Sequence, residues 1–145
     1  MTQPFVPYFQ TSRYRVQAMV TLAKPQRGER GIDLGSGDGR IVIAFAEKGV
    51  EMHGLELATR LLDLSEKNIL AAGLTNAFVE MKNFWDVDLS EFDIVTIYPM
   101  PDIMHALEEK LEKELQSDAR VLTNFYPLPT WKHHASRDNI YLYIK

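Results

Sequence analysis

The chain has 145 residues, a length that suits one domain of ordinary size, and 46% of them are hydrophobic, enough for a single sizeable core. Its formal net charge of -4 disfavours a general nucleic-acid binder; mild acidity aids solubility and is also compatible with basic, lysine-bearing partners. It has no cysteine, which excludes disulfide frameworks, cysteine-type zinc sites and thiol nucleophiles and suits a cytoplasmic protein.

The opening "MTQPFVPYFQ" has neither the basic nor the apolar region of a signal peptide. No apolar run approaches the roughly 20 residues of a membrane helix, so membrane insertion is not expected. The first periodic stretch, "TSRYRVQAMVTLA", predicts a helix capped by Ser12, with Val16, Met19, Val20 and Ala23 on one face. A polar break around Pro25 and Gly28 follows, then the short buried strand "GIDL" and a helix from Arg40 to Lys48 stopped by Gly49. "VEMHGLEL" predicts a second strand. "ATRLLDLSEKNILAA" predicts a helix with Ala58, Leu62, Ser65, Ile69 and Ala72 inward and Gly73 at its end. "AFVEM" and "FDIVTIY" are further strands. "MPDIMHALEEKLEKELQ" is helical, with the apolar stripe Met104, Leu107, Leu111 and Leu115 and an expected Glu109–Lys113 ion pair. "ARVLTNFY" is a fifth strand, "PLPTWKHHASRDN" a loop that turns at "RDN", and "IYLYIK" a terminal strand.

This alternation implies an α/β fold with a mostly parallel sheet and helices on both faces. The last strand follows its predecessor without a crossover helix, so it is expected to pair antiparallel.

"DLGSGDGR" then stands at the carboxyl end of the first strand, where open α/β sheets bind ligands. Gly35, Gly37 and Gly39 let backbone approach a ligand closely. The dinucleotide pattern G-x-G-x-x-G/A requires a third small residue at position 40, where this chain has Arg40, and the phosphate-loop pattern is absent as well. Glu56, at the carboxyl edge of the second strand, is placed to accept hydrogen bonds from both hydroxyls of a ribose. His133 and His134 have no acidic partner at a typical ligand spacing, and no metal is expected.

The segment Asp33 to Arg40, together with Glu56 and the order of elements across nearly the whole chain, resembles the class I, seven-β-strand S-adenosylmethionine-dependent methyltransferases. With "PFVPYFQTS", "NFWDVDLSEFD", "LEEKLEKEL" and "NFYPLPTW", the chain is similar in particular to the small protein-lysine methyltransferases of the adenine nucleotide translocase and ATP synthase c-subunit group. The resemblance implies a Rossmann-like sheet of order 3-2-1-4-5 with an antiparallel C-terminal strand. It implies one S-adenosylmethionine-binding domain over 1–145, in which residues 1–24 cover the cofactor. S-adenosylhomocysteine would be the product and a protein lysine the acceptor, with nucleic acid not expected as a partner.

In that site Gly35, Ser36, Gly37 and Gly39 pass under the methionine portion, and the helix start at Arg40 favours its carboxylate. Asp33 orients the loop and reaches the ammonium, Glu56 holds the ribose, and Asn83 and Phe84 frame the adenine. Tyr98 and Pro99 fall on the acceptor side, in "YPMP" rather than the [D/N]-P-P-[Y/F/W] of adenine or glutamine amino-methyltransferases. Tyr98 is equally readable as a strand-end residue packed on the next helix. Tyr8, Phe9, Thr11, Tyr126 and Trp131 either close the site or plug the sheet edge. The chain departs from the family at Asn83, where Asp is common, and at Asn124, where the subgroup tends to Arg. Tyr126 is inserted before Pro127, and neither the family's sixth strand nor a recognition insert is found. Transfer to a small molecule or RNA, and a cofactor-binding partner without catalysis, are the alternatives.

Overall fold

The computed structural model describes residues 10–97 and 101–145. Ser12 is extended and its hydroxyl accepts from Arg15 N–H at 3.3 Å, opening α1 (Arg13–Ala23), which stops at Lys24 in the left-handed region. Then come β1 (Arg30–Leu34), α2 (Arg40–Ala46), β2 (Glu51–Leu55), α3 (Thr59–Ala71), β3 (Ala77–Glu80) and β4 (Ile94–Ile97). The chain ends with α4 (Met104–Glu114), β5 (Arg120–Asn124), β6 (Ala135–Arg137) and β7 (Ile140–Ile144).

One seven-stranded sheet runs β3-β2-β1-β4-β5-β7-β6. The first five strands are parallel; β7 is antiparallel to β5, and β6 to β7. The chain steps outward from β1 to β3, then returns to β4 on the other side of β1. That reversal opens a crevice beyond the carboxyl ends of β1 and β4.

Successive side chains of the central strands serve two separate cores, because the period of a strand is two. Met52, Ala77, Ile94, Leu122 and Leu142 pack with Val16, Met19, Phe45 and Ile69 beneath α1, α2 and α3. Ile32, Leu55, Val95, Val121 and Tyr143 pack with Met104, Leu107 and Leu111 of α4 on the opposite face. Burying both faces favours strands without polar alternation, and all four residues of β4 are buried, with Thr96 the one polar residue among them.

The expected strand order and the antiparallel last strand are present. Several details differ. The loop after β5 contains β6, which pairs with β7 through a two-residue turn in which Asp138 and Asn139 have φ of 55° and 64°. The turn at "RDN" is therefore right, but a further edge strand precedes it. On α3 Ser65 and Ile69 face inward as expected, but Leu61 is buried where Leu62 was expected, and Ala58 and Ala72 are exposed. On α4 the i,i+4 ion pair is Lys110–Glu114 at 2.7 Å rather than Glu109–Lys113. Helix α2 ends at Ala46, two residues short of the expectation.

Candidate active site

The glycine loop is pinned from three sides. Gly35 and Ser36 N–H both donate to the Leu55 carbonyl, at 3.0 and 2.9 Å, and Gly37 N–H donates to Glu56 Oε1 at 2.8 Å. Asn68 of α3 donates to the Asp38 carbonyl at 2.9 Å. Gly35, Gly37 and Gly39 have φ of 81°, 55° and 85°, a run that residues with side chains rarely adopt. The loop also presses on β2. A Cβ built at Gly54 would lie 2.7 Å from the Ser36 side chain and 2.8 Å from Val42, so only glycine lets the loop sit this close.

Asp33 is buried beneath the loop. Thr96 of β4 donates its hydroxyl to Asp33 Oδ1 at 2.8 Å, while Oδ2 is buried with no partner. Burial pushes the carboxyl up to about 7; the Thr96 hydroxyl opposes the rise, and the Glu56 and Asp38 carboxylates add to it. A buried oxygen without a donor, beside two further acids, suits a cationic group. The Ser36 hydroxyl is likewise buried and unpartnered.

Glu56 is half-buried, and its Oε2 accepts from Ala58 N–H at 3.0 Å. Each of its oxygens already has one backbone donor and retains a second lone pair for a hydroxyl. It therefore braces the loop as well as presenting a carboxylate.

Arg40 is held by neighbouring groups of the protein. Its guanidinium forks onto the Asp38 carboxylate, with Nη2 to Oδ2 at 2.6 Å, and Nη1 donates to the Thr11 carbonyl at 2.8 Å. Thr11 is buried, and its hydroxyl accepts from Asn124 Nδ2 at 2.9 Å. Thr11 is thus held to both the glycine loop and the end of β5. Asn124 Oδ1 is buried without a partner.

Asn83 caps a 3-10 turn (Phe84–Asp86), its Oδ1 accepting from Trp85 N–H at 3.1 Å, and Phe84 packs on the α4-side core. Helix α4 fixes this loop. Lys110 Nζ reaches the Trp85 carbonyl at 3.4 Å, and Glu114 accepts from Leu89 N–H at 2.9 Å. Tyr126 and Trp131 are half-buried against the same core, with Trp131 and Tyr143 rings 6.3 Å apart. Glu108 holds their loop, accepting from Thr130 N–H and Trp131 N–H at 2.9 and 3.1 Å and from the Thr130 hydroxyl. Burial raises the pKa of Glu108, but these hydrogen bonds together leave it below its ordinary value. Tyr98, Pro99, Tyr8 and Phe9 lie outside the described residues.

Three residues of this arrangement, Gly54, Asn68 and Thr96, carry no sequence signal read as functional, and Asn124 stands out only as a departure from the family pattern. Gly54 was the most legible, as a glycine interrupting a strand.

Residues 33–135 match the model of the ANTKMT methyltransferase domain. The lysine N-methyltransferase of the ATP synthase c-subunit from Homo sapiens is 38% identical over 129 residues, covering 88% of this chain and 54% of that protein. The chain thus spans about half the length of that relative. A protein-lysine N-methyltransferase of Saccharolobus islandicus is 35% identical over 136 residues, covering 88% of this chain and 81% of the relative. In shape, the chain is similar to an RNA methyltransferase from Salinibacter ruber in complex with S-adenosyl-L-homocysteine. That likeness has a TM-score of 0.88 and 27% identity, and covers 94% of this chain and 93% of the other. The glycine loop, Asp33 and Glu56 all lie within the matched span, and the chain belongs to the ANTKMT methyltransferase domain family.

Proposed function

We propose that this protein transfers methyl groups from S-adenosylmethionine to lysine side chains of proteins. The observation that carries the reading is the buried Asp33 carboxylate, with one oxygen unpartnered, under a glycine loop braced by Glu56. This matches a ligand with an ammonium at one end and a ribose at the other. When bound, S-adenosylmethionine supplies an electrophilic methyl on a sulfonium, which is already a good leaving group.

The chain's own residues then have positional tasks, and positioning contributes most of the acceleration in such a displacement. Asp33 Oδ2 receives the ammonium, Gly35, Ser36 and Gly37 give their backbone to the methionine portion, and Glu56 receives the ribose hydroxyls. Gly39 and Arg40 set the start of α2, and Arg40 holds Thr11 over the site. Asn83 and Phe84 border the adenine. Tyr98 and Pro99 border the acceptor, with Tyr98 bonding the amine or lining its channel. The attacking amine must be neutral although lysine titrates near 10.4, so the acceptor side favours the uncharged form by desolvation.

The lysine assignment is supported by the names of the human and archaeal relatives, the latter covered over most of its length. The structural neighbour named as an RNA methyltransferase supports the rival acceptor. Among the described residues no helix is long and apolar enough to cross a membrane. A cytoplasmic location is part of the proposal, in keeping with a chain that uses no cysteine. The test is incubation with methyl-labelled S-adenosylmethionine and matched protein and RNA extracts. Label in the protein fraction is expected; label only in RNA, or none despite cofactor binding, contradicts the proposal.

A further inference from the structure

Beyond Asn124 the chain makes an unusual turn. Tyr126 N–H donates to the Asn124 carbonyl at 2.9 Å across Phe125, whose φ is 74°. This is the γ-turn with a left-handed central residue, the rare and strained form. It is held in place from outside, since Phe125 N–H donates to the Asn139 carbonyl at 2.7 Å. Glycine would adopt this backbone without steric strain. The chain instead places a phenyl ring there and leaves it 44% exposed, so burial does not account for it. Strained positions fixed by their surroundings gather at binding sites, and this one follows directly on the residue that clamps Thr11.

The ring has company. The Arg15 guanidinium carbon lies 5.5 Å from its centroid, and the Tyr126 ring meets it edge-on at 5.1 Å. Arg13 and Arg15 occupy the first turn of α1, which has no acidic residue, although positive charge there opposes the helix dipole. Arg30, Arg40 and Arg120 each pair with a carboxylate. Among the described residues the Arg15 guanidinium has no carboxylate partner.

We propose that Phe125 and Arg15 form the rim on which the acceptor protein docks: the Phe125 ring receives an apolar side chain, and the Arg15 guanidinium a carboxylate, of the segment carrying the target lysine. The inference deepens the lysine reading and rests on it. It commits the enzyme to lysines with an acidic residue nearby, a local preference that the net charge of the chain does not foretell.

The test uses the full chain, labelled S-adenosylmethionine and a heat-denatured bacterial extract as acceptor, with modified lysines mapped by mass spectrometry. Wild type is expected to modify lysines enriched in neighbouring Asp and Glu, and Arg15→Glu to shift that enrichment toward Lys and Arg. Phe125→Gly suits the local backbone, so its fold is kept; its apparent KM for the extract should rise about tenfold while kcat and cofactor affinity hold, and Phe125→Tyr should restore KM. A wild type that modifies no lysine removes the functional reading and this proposal with it. A wild type that modifies lysine, with the same flanking residues in Arg15→Glu or the same KM in Phe125→Gly, overturns this proposal alone.

Discussion

Asn124, fully buried at the end of β5, donates from Nδ2 to the hydroxyl of Thr11, 113 residues earlier in the chain, at 2.9 Å. With Arg40 bound to the Thr11 carbonyl, this ties Thr11 to both the glycine loop and β5. Asn124→Ala removes one of the two ties and leaves the Thr11 hydroxyl buried without it. The expected cost is about 1–3 kcal/mol, a fall in Tm of several degrees. Amide hydrogen exchange should quicken at residues 11–14 more than in β1; uniform protection would show that the tie is dispensable.

Asp33 makes stability depend on pH in a stated direction. Its pKa rises on folding from 3.8 to about 7, chiefly through burial. The folded state therefore binds the proton more tightly, so the stabilisation is complete below the unfolded value and declines as pH rises through the folded one. Asp33→Asn removes that slope. The mutant should gain on wild type between about pH 4 and 7, by on the order of 4 kcal/mol at the upper end. Denaturant melts of both proteins across this range are the measurement. A wild-type slope that persists in the mutant would assign it to another group.

Glu56 has two tasks, so its variants should separate them. Glu56→Ala removes the acceptor of Gly37 N–H and Ala58 N–H and with it the proposed ribose contact. S-adenosylmethionine affinity should fall roughly 10- to 100-fold, the scale of lost charge-assisted hydrogen bonds. Glu56→Gln keeps an acceptor oxygen for the loop and should lose less. Calorimetric titration reads both; an unchanged affinity in Glu56→Ala would remove its ribose role.

Gly54→Ala tests the close packing of loop on strand. The added Cβ meets Ser36 at 2.7 Å and Val42 at 2.8 Å, both in tightly packed surroundings. Overpacking of this kind costs about 1–3 kcal/mol. Cofactor affinity should fall with stability because the contact shifts the loop itself; lowered stability with full affinity would place the strain elsewhere.

Much of this was legible because local patterns report local structure. The alternation of period-two and period-3.6 stretches gave the parallel sheet, and three glycines after a buried Asp gave the loop. On α3 the adjacent Leu61 and Leu62 fit the periodic stripe almost equally well and the structure buries Leu61, while Ala58 and Ala72 are small enough to suit either side. The strand β6 escaped notice because three residues without apolar alternation carry no periodic signal; only its pairing with β7 reveals it. Thr96 and Asn124 act through partners 63 and 113 residues away, and no spacing along the chain encodes such distances. The same holds for Glu108, buried on α4 and bound to the backbone of Thr130, 22 residues further on.

Amino-acid analysis of the labelled protein fraction, after transfer from methyl-labelled S-adenosylmethionine, tests the central claim most directly. Label is expected on the Nε of lysine, lost in Asp33→Asn and reduced in Glu56→Ala. Label on another side chain, or on RNA alone, would contradict it.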